Sequence, residues 1–252
     1  MAFEPNIAPM ATEVRKRLAP SGILRAVINL SNFLLVSSHT PAGEPAGVAP
    51  DVARAVAEGL GLALRYVTYP SPGELADAAA RDEWDIALLG AEPQRAQVIS
   101  FTPAYAEIEA TYLVMSESRL HTVEEVDAPG IRISVTERTA YGLWLERNIR
   151  HASLIRSRTL DEALKTFVDQ SLDALAGLRA RLILDVASIQ GARILNGRFM
   201  AVQQAIGTPR AKDIALPYLT DFVREALRRD LVSALIRKHQ VQGLSVAGEP
   251  SS

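Results

Sequence analysis

The chain has 252 residues, 48% of them hydrophobic and 22% charged, with a net charge of −2 and no cysteine. That length allows one large domain or two small lobes, with enough apolar material for a sizeable core. The near-neutral charge gives no bulk attraction to nucleic acid or an anionic membrane, and the missing thiols exclude disulfides, thiol catalysis and cysteine metal sites.

The first 20 residues carry Glu4, Glu13, Arg15, Lys16 and Arg17 among three prolines, so they do not read as a signal peptide. Ile23 to Asn29 reads as a first strand. Val52, Val56 and Leu60 recur every fourth residue along one helix face, with Pro50 near the start and Gly59 and Gly61 near the end. Leu62 to Tyr69 is the next expected strand, Pro72 to Ala80 a short alanine-rich helix, and Trp84 to Leu89 a third, buried strand. A polar loop with Arg95 follows, then an apolar segment and a Pro103-Ala104-Tyr105 turn.

The pattern then restarts. Thr111 to Met115 reads as extended, Ile131 to Val135 as a strand, Thr139 to Ile149 as a helix and Leu154-Ile155 as a brief strand. Helix Asp161 to Val168, strand Leu172 to Ala176, helix Arg179 to Ser188 and extended Met200 to Ile206 come next. Two helices, about Ala215 to Arg228 and Asp230 to His239, close the fold, and the tail from Val246 to Ser252 has no core-forming pattern. Alternation of strand and helix argues α/β with largely parallel sheets, in two successive blocks. No stretch reaches the roughly 20 apolar residues of a membrane span, so no membrane insertion is expected.

Enzyme and cofactor signals are sparse. His39, His121, His151 and His239 are scattered, with no metal-ligand spacing. There is no Gly-x-Ser-x-Gly elbow, no Walker loop, no dinucleotide fingerprint and no basic stripe, so no cofactor, metal or nucleic-acid partner is expected. Trp84 and Trp144 suit packing better than a site.

The order of strand, Gly90-Ala91-Glu92-Pro93-Gln94-Arg95 loop, then Phe101-Thr102-Pro103-Ala104-Tyr105 resembles the extracellular solute-binding proteins of family 3, the capture subunits of polar amino-acid ABC transporters. The resemblance runs from about Gly22 to Gly243. It implies an α/β, two-lobed periplasmic-binding-protein type II fold, with two lobes joined by two extended hinge segments. On that pattern lobe one is 1–112 plus 204–252, lobe two is 113–203, and a small carboxylate-bearing ligand sits in the cleft between them. The resemblance also implies a monomer, an ABC permease as partner, no catalytic role and a periplasmic location. The start of the chain leaves a cytoplasmic sensor or ligand store as the alternative.

Residue by residue, the resemblance makes Arg95 the clamp on the ligand's carboxylate, a role its planar fork suits, with the Gly90 backbone beside it. Glu92 stands where the family usually has a hydroxyl residue. It is open to three readings: a partner that orients Arg95, a group facing a cationic or hydroxylated part of the ligand, or a side chain in solvent. Asn32 and Phe33 follow the first strand, where an aromatic wall is implied, and Tyr69 ends the second. In lobe two, Thr136, Arg138, Thr139 and Tyr141 occupy the place of a hydroxyl-rich turn at a helix start, which favours anions. An ordinary capped helix with Thr139 as cap is the competing reading there. Leu178 stands where the family's ammonium-binding aspartate is implied, and Asp173 matches only a structural aspartate. The spare carboxylates are Glu92, Glu107 and Glu109, with Asp185 a weaker candidate because a mid-helix aspartate is usually solvated. Some cyclohexadienyl dehydratases resemble these binders, so an enzyme with Glu92 as general acid, acting on prephenate or arogenate, is the rival reading.

Overall fold

The computed structural model describes residues 8–248. The helix α1 is Ala8–Leu18, followed by strand β1, Ile23–Asn29, the small hairpin β2, Ser38–His39, with β3, Pro45–Ala46, and the helix α2, Val48–Leu60. Then come β4, Ala63–Tyr69, α3, Pro72–Asp77, β5, Ile86–Gly90, and β6, Ile99–Met115. Next are β7, Arg132–Thr136, α4, Ala140–Asn148, β8, Ser153–Ser157, and α5, Leu160–Asp169. They are followed by β9, Ala174–Leu178, α6, Arg179–Val186, β10, Ala192–Ile194, and β11, Met200–Pro209. The chain closes with α7, Leu216–Arg228, α8, Leu231–Lys238, and β12, Ser245–Val246.

The chain divides into two compact units, Met1–Glu107 with Gln203–Ser252, and Ile108–Val202. The passages between units fall at 107/108 and 202/203, inside β6 and β11; the sequence reading put them at 112/113 and 203/204.

In the first unit the strands run in the order β4, β1, β5, β11, β6. β4, β1 and β5 are parallel, with Ile23 opposite Ala63 and Ala26 opposite Ile86, and β11 joins β5 antiparallel. All five residues of β5 are buried, as a central strand covered on both faces requires. Trp84, Leu75, Val27, Ala87, Leu89 and Ile99 form one core cluster around it. α2 buries Val48, Val52, Val56 and Leu60 along one stripe and ends where Gly61, in the left-handed conformation, returns its N–H to the Ala57 and Glu58 carbonyls. Gly47, which precedes α2, has φ +149, and a Cβ there would stand 2.4 Å from the Leu35 carbonyl oxygen, so only glycine fits.

In the second unit β6 lies beside β9, then β7 and β8, with β10 also paired to β6. Strand alternation separates two cores. Tyr112, Val114, Ile133, Val135, Ala174 and Ala176 pack with Tyr141 and Leu145 of α4 on one face. Leu113 and Leu175 pack with Ala163 and Phe167 of α5 and Leu182 of α6 on the other. Thr159 and Glu162 form a reciprocal capping box that starts α5.

Two sequence readings are corrected, and the start of the chain adds an element for which the sequence reading had none. Pro103-Ala104-Tyr105 is not a turn but lies inside the 17-residue β6. Thr102 Oγ1 accepts the Ile206 N–H at 3.1 Å, so a side chain supplies an acceptor where the ladder passes Pro103. The tail is ordered through Val246, which pairs with Ala106, while its last four residues, 249–252, lie outside the described residues. The start of the chain, of which residues 1–7 lie outside the described residues, contributes a helix that buries Val14 and Leu18.

Candidate functional site

In the first unit the site residues collect at the carboxyl ends of β1, β4 and β5, the edge at which open α/β sheets take ligands. Arg95 opens the 3₁₀ turn Arg95–Gln97 just past β5 and is only 4% exposed. Its Nη1 donates to the Gly90 carbonyl at 2.8 Å, so the guanidinium is held to the end of its own strand. The loop is fixed in turn by the Ala91 N–H, which donates to the Gln203 carbonyl at 2.7 Å. Glu92 is also 4% exposed, which removes the solvent-facing reading. Its Oε2 accepts the Gln94 N–H at 2.8 Å, and its carbonyl accepts the Ala96 N–H at 2.9 Å.

Asn32 is buried where the chain turns after β1, its carbonyl accepting the N–H groups of Leu35 and Val36. Its Oδ1 has no donor among the described residues. Phe33 beside it is half-buried. Tyr69 ends β4 and packs against the Trp84 cluster, and its hydroxyl donates to Glu83. Burial first, then that carboxylate acceptor, push the Tyr69 pKa above its ordinary value.

In the second unit Thr136 ends β7 and is buried; Arg138 is exposed with φ +58; Thr139 caps α4. Thr139 Oγ1 accepts the Gly142 N–H at 3.0 Å and donates to the Thr136 carbonyl at 2.8 Å, which closes the turn on itself. The capped-helix reading therefore holds, and it leaves a role in ligand binding compatible. Gly142 has no room for a side chain, since a Cβ would meet the Thr136 carbonyl at 2.5 Å. Tyr141 is 3% exposed, and burial pushes its pKa up.

The spare carboxylates are engaged. Glu107 accepts from Gln203 Nε2 at 3.0 Å, and Glu109 pairs with Arg179 at 2.7 Å and Arg198 at 3.4 Å. The expectation that Asp185 is solvated is wrong. It is buried, Arg181 Nε donates to it at 2.8 Å, and the same guanidinium reaches Asp161 at 2.6 Å. Burial raises the Asp185 pKa, and Arg181 opposes the rise. Asp173 accepts the Arg132 N–H at 2.8 Å, a bond that ties down a strand start, and Leu178 precedes α6 as a cap without a side-chain bond.

The sequence reading passed over Gln204, which is buried opposite Gly90 in the β11–β5 ladder. Nothing in the local sequence marks it, because its place depends on a register set across more than a hundred residues. A cavity of about 240 Å³ in the second unit, lined by Tyr112, Trp144 and Phe199 with Asp127 and Arg198, includes none of the sequence-read site residues. Among the described residues no group of three or more acidic or histidine side chains is placed to hold a metal ion, and no helix is long and apolar enough to cross a membrane.

The model of the bacterial extracellular solute-binding proteins, family 3, matches residues 27–214. The chain belongs to that family. A curated relative of this family 3 protein, cyclohexadienyl dehydratase of Pseudomonas aeruginosa, is 29% identical over 143 residues, 55% of this chain and 53% of the relative. The chain thus spans about half the length of the curated relative it matches. Among solved structures, a mutant of ArgBP from T. maritima matches with a TM-score of 0.70 at 18% identity, over 92% of this chain and 100% of that one. Cysteine-binding protein from Campylobacter jejuni matches at 0.71 and 14% identity, over 90% and 92%. AncCDT-1, an ancestral amino acid-binding protein and precursor of cyclohexadienyl dehydratase, matches at 0.69 and 17% identity, over 90% and 97%. At such identities these matches establish the fold, a two-lobed type II periplasmic-binding-protein fold.

Proposed function

We propose that this family 3 protein binds a small carboxylate-bearing solute, an amino acid or related organic acid, by hinge closure, as the substrate-binding component of an ABC transporter. The observation that carries the reading is Arg95, a guanidinium 4% exposed and anchored on the Gly90 carbonyl at the carboxyl end of a central strand. A guanidinium is a planar fork of N–H donors, a geometry that suits the carboxylate of an acidic guest. Family membership supports the class of ligand, as do relatives of the same fold whose structures hold L-arginine in a Streptococcus pneumoniae protein and lysine in a Wolinella succinogenes protein. On this reading Glu92, Asn32, Phe33 and Tyr69 surround the ligand from lobe one. Thr136, Arg138, Thr139 and Tyr141 close on it from lobe two, after which a permease in the membrane receives the loaded monomer outside the cytoplasm.

The test is calorimetric titration of amino acids, dicarboxylates and aromatic acids into the wild type and Arg95→Ala. Two charge-assisted bonds at about 1.5–3 kcal/mol each make the expected loss at least about 100-fold. Circular dichroism must show that the variant remains folded. Unchanged affinity in a folded Arg95→Ala would remove the anchor and the reading with it.

The match to cyclohexadienyl dehydratase favours a second reading, in which Glu92 protonates a ring hydroxyl that leaves as water while the ring carboxylate departs as carbon dioxide and its bonding pair enters the ring. Product formation from prephenate or arogenate by purified protein, lost in Glu92→Gln, decides for it.

A further inference from the structure

The cavity of about 240 Å³ in the second unit lies away from the candidate ligand contacts. Val123, Glu124 and Asp127, which precede β7, form one wall, and Trp144 and Asn148, toward the end of α4, form another. Thr136 to Tyr141 stand at the opposite end of both elements, at the carboxyl end of β7 and the first turn of α4. The apolar part of the lining is a row of rings. Phe199 contacts both Tyr112 and Trp144, with ring centroids 4.6 and 5.5 Å apart and planes tilted by 35° and 32°. The Phe199 N–H donates to the Ala110 carbonyl at 3.1 Å, and Asn148 Nδ2 donates to the Trp144 carbonyl at 2.8 Å, so the rings are held in place before any guest arrives. The volume suits a guest with a single ring, since a cavity of about 150 Å³ already takes benzene.

Charge selects what the ring must carry. The lining has two carboxylates, Glu124 and Asp127, and one guanidinium, Arg198. Arg198 pairs at 3.4 Å with Glu109, which is outside the lining, so its charge is already answered. Burial acts to raise the Asp127 pKa, but the N–H groups of Ala152, His151 and Arg150 prevail and hold it below the ordinary value, so Asp127 is an anion at neutral pH. Its Oδ1 accepts from all three, while Oδ2 accepts only the Arg150 N–H, at 2.9 Å, which leaves Oδ2 capacity for a further donor. The carbonyl end of α4 also lies at the cavity and favours a cation, as do the ring faces.

We infer that this cavity is a second binding site, for a small aromatic amine: its ring packs on the row of Tyr112, Phe199 and Trp144, and its ammonium meets Asp127 and Glu124. The guest needs no carboxylate and makes no use of Arg95, so the site stands apart from solute capture in the cleft.

Three probes that share one ring test this: 2-phenylethylamine, 2-phenylethanol and phenylacetate, which carry a cation, a neutral hydroxyl and an anion. Affinities come from calorimetry on the wild type, Trp144→Leu, Glu124→Gln and Arg95→Ala, each checked by circular dichroism. The acid is read in Arg95→Ala, where the candidate anchor of the first unit no longer holds it. There the amine should bind at least about 10-fold more tightly than the acid, with the alcohol between them. Trp144→Leu should weaken the amine by at least about 5-fold. Glu124→Gln should weaken the amine by about 2- to 5-fold and leave the alcohol unchanged. Because Glu124 is exposed, its variant decides if Trp144→Leu does not fold. Phenylacetate that binds Arg95→Ala as tightly as the amine overturns the inference, since Arg198 would then set the charge of the guest. So does an amine affinity unmoved in the folded Trp144→Leu and Glu124→Gln variants, or one lost in Arg95→Ala. No binding of the amine to the wild type at millimolar concentration overturns it as well.

Discussion

Asp85 provides the sharpest stability test, because a single carboxylate ties three segments of the first unit. It is 1% exposed. Oδ2 accepts the Arg25 N–H at 2.7 Å and Arg25 Nε at 3.1 Å. Oδ1 accepts Arg25 Nη2 at 2.7 Å and Lys212 Nζ at 2.6 Å. Four donors thus converge from β1 and from the turn after β11 on the residue that precedes β5. The hydrogen bond to Asp85 is the main reason that the Arg25 pKa rises above its ordinary value. Asp85→Asn keeps the shape but removes the negative charge and turns one acceptor oxygen into an amide NH2 that faces donors of Arg25 or Lys212. Removing one partner of a buried pair costs about 3–5 kcal/mol. The Arg25 and Lys212 side chains are 21% and 15% exposed and share a second carboxylate, Asp82, so the lower end, about 3 kcal/mol, applies here. At about 2–4 °C per kcal/mol for a chain of this size, the melting temperature should fall by about 6–12 °C. Urea unfolding followed through the fully buried Trp84, in a Trp144→Phe background, measures it. Asp82 contacts the same two cations but its side chain is 72% exposed, so Asp82→Asn should cost less than about 1 kcal/mol. A loss below 1 kcal/mol for Asp85→Asn, or equal losses for the two variants, would refute the argument from burial.

Gly142→Ala places a Cβ 2.5 Å from the Thr136 carbonyl and 2.8 Å from Thr139 Oγ1, and should destabilise the second unit by about 1–3 kcal/mol in urea. It should also weaken ligand binding, if the turn from Thr136 to Tyr141 takes part. Asp51 is pulled two ways: burial raises its pKa, but the bonds from Lys238 at 2.7 Å and His239 at 2.8 Å prevail and hold it below the ordinary value. A lowered carboxylate pKa contributes stability that is complete above the unfolded value, near 3.9, and is lost as pH falls through the folded value. Asp51→Asn should therefore be less stable than the wild type at pH 7, with a gap that closes as pH falls below about 4; parallel curves down to pH 2 would show that the cluster contributes nothing.

The sequence disclosed those parts of the fold that depend on local period. β1 matches its expected limits because its apolar run is short and continuous, and α2 because Val52, Val56 and Leu60 mark one face up to the cap at Gly61. What stayed hidden depends on distant partners. Pro103 reads as a chain breaker until Thr102 Oγ1 is seen taking the Ile206 N–H from 104 residues away. Ser38–His39 and Pro45–Ala46 pair without any hydrophobic alternation to announce them. At the site the position of Arg95 was legible from the strand before it and the motif after it. Its hold on the Gly90 carbonyl was not, nor was the burial of Glu92 directly before exposed Pro93 and Gln94. Asp85 shows the same limit, since its charge partner Lys212 is 127 residues distant.

Glu92 separates the two functional readings, because the same substitution has different consequences under each. Glu92→Gln conserves size and leaves a carbonyl oxygen that can accept the Gln94 N–H, now made by Oε2 at 2.8 Å. The loop that positions Arg95 should therefore keep its shape. If the protein only binds its solute, the variant should still bind acids, with affinity within about 10-fold of the wild type, as one exchanged buried polar group implies. If Glu92 supplies a proton to a leaving hydroxyl, the amide has none to give. Turnover of prephenate or arogenate should then fall by about 10²–10⁴-fold while the affinity for the substrate persists. Following product absorbance and calorimetric binding on the same preparations keeps the two effects apart. Wild-type turnover that survives in Glu92→Gln would remove Glu92 as the acid. A wild type with no turnover, together with a variant that binds normally, would leave solute capture as the function and make Glu92 a support for its loop.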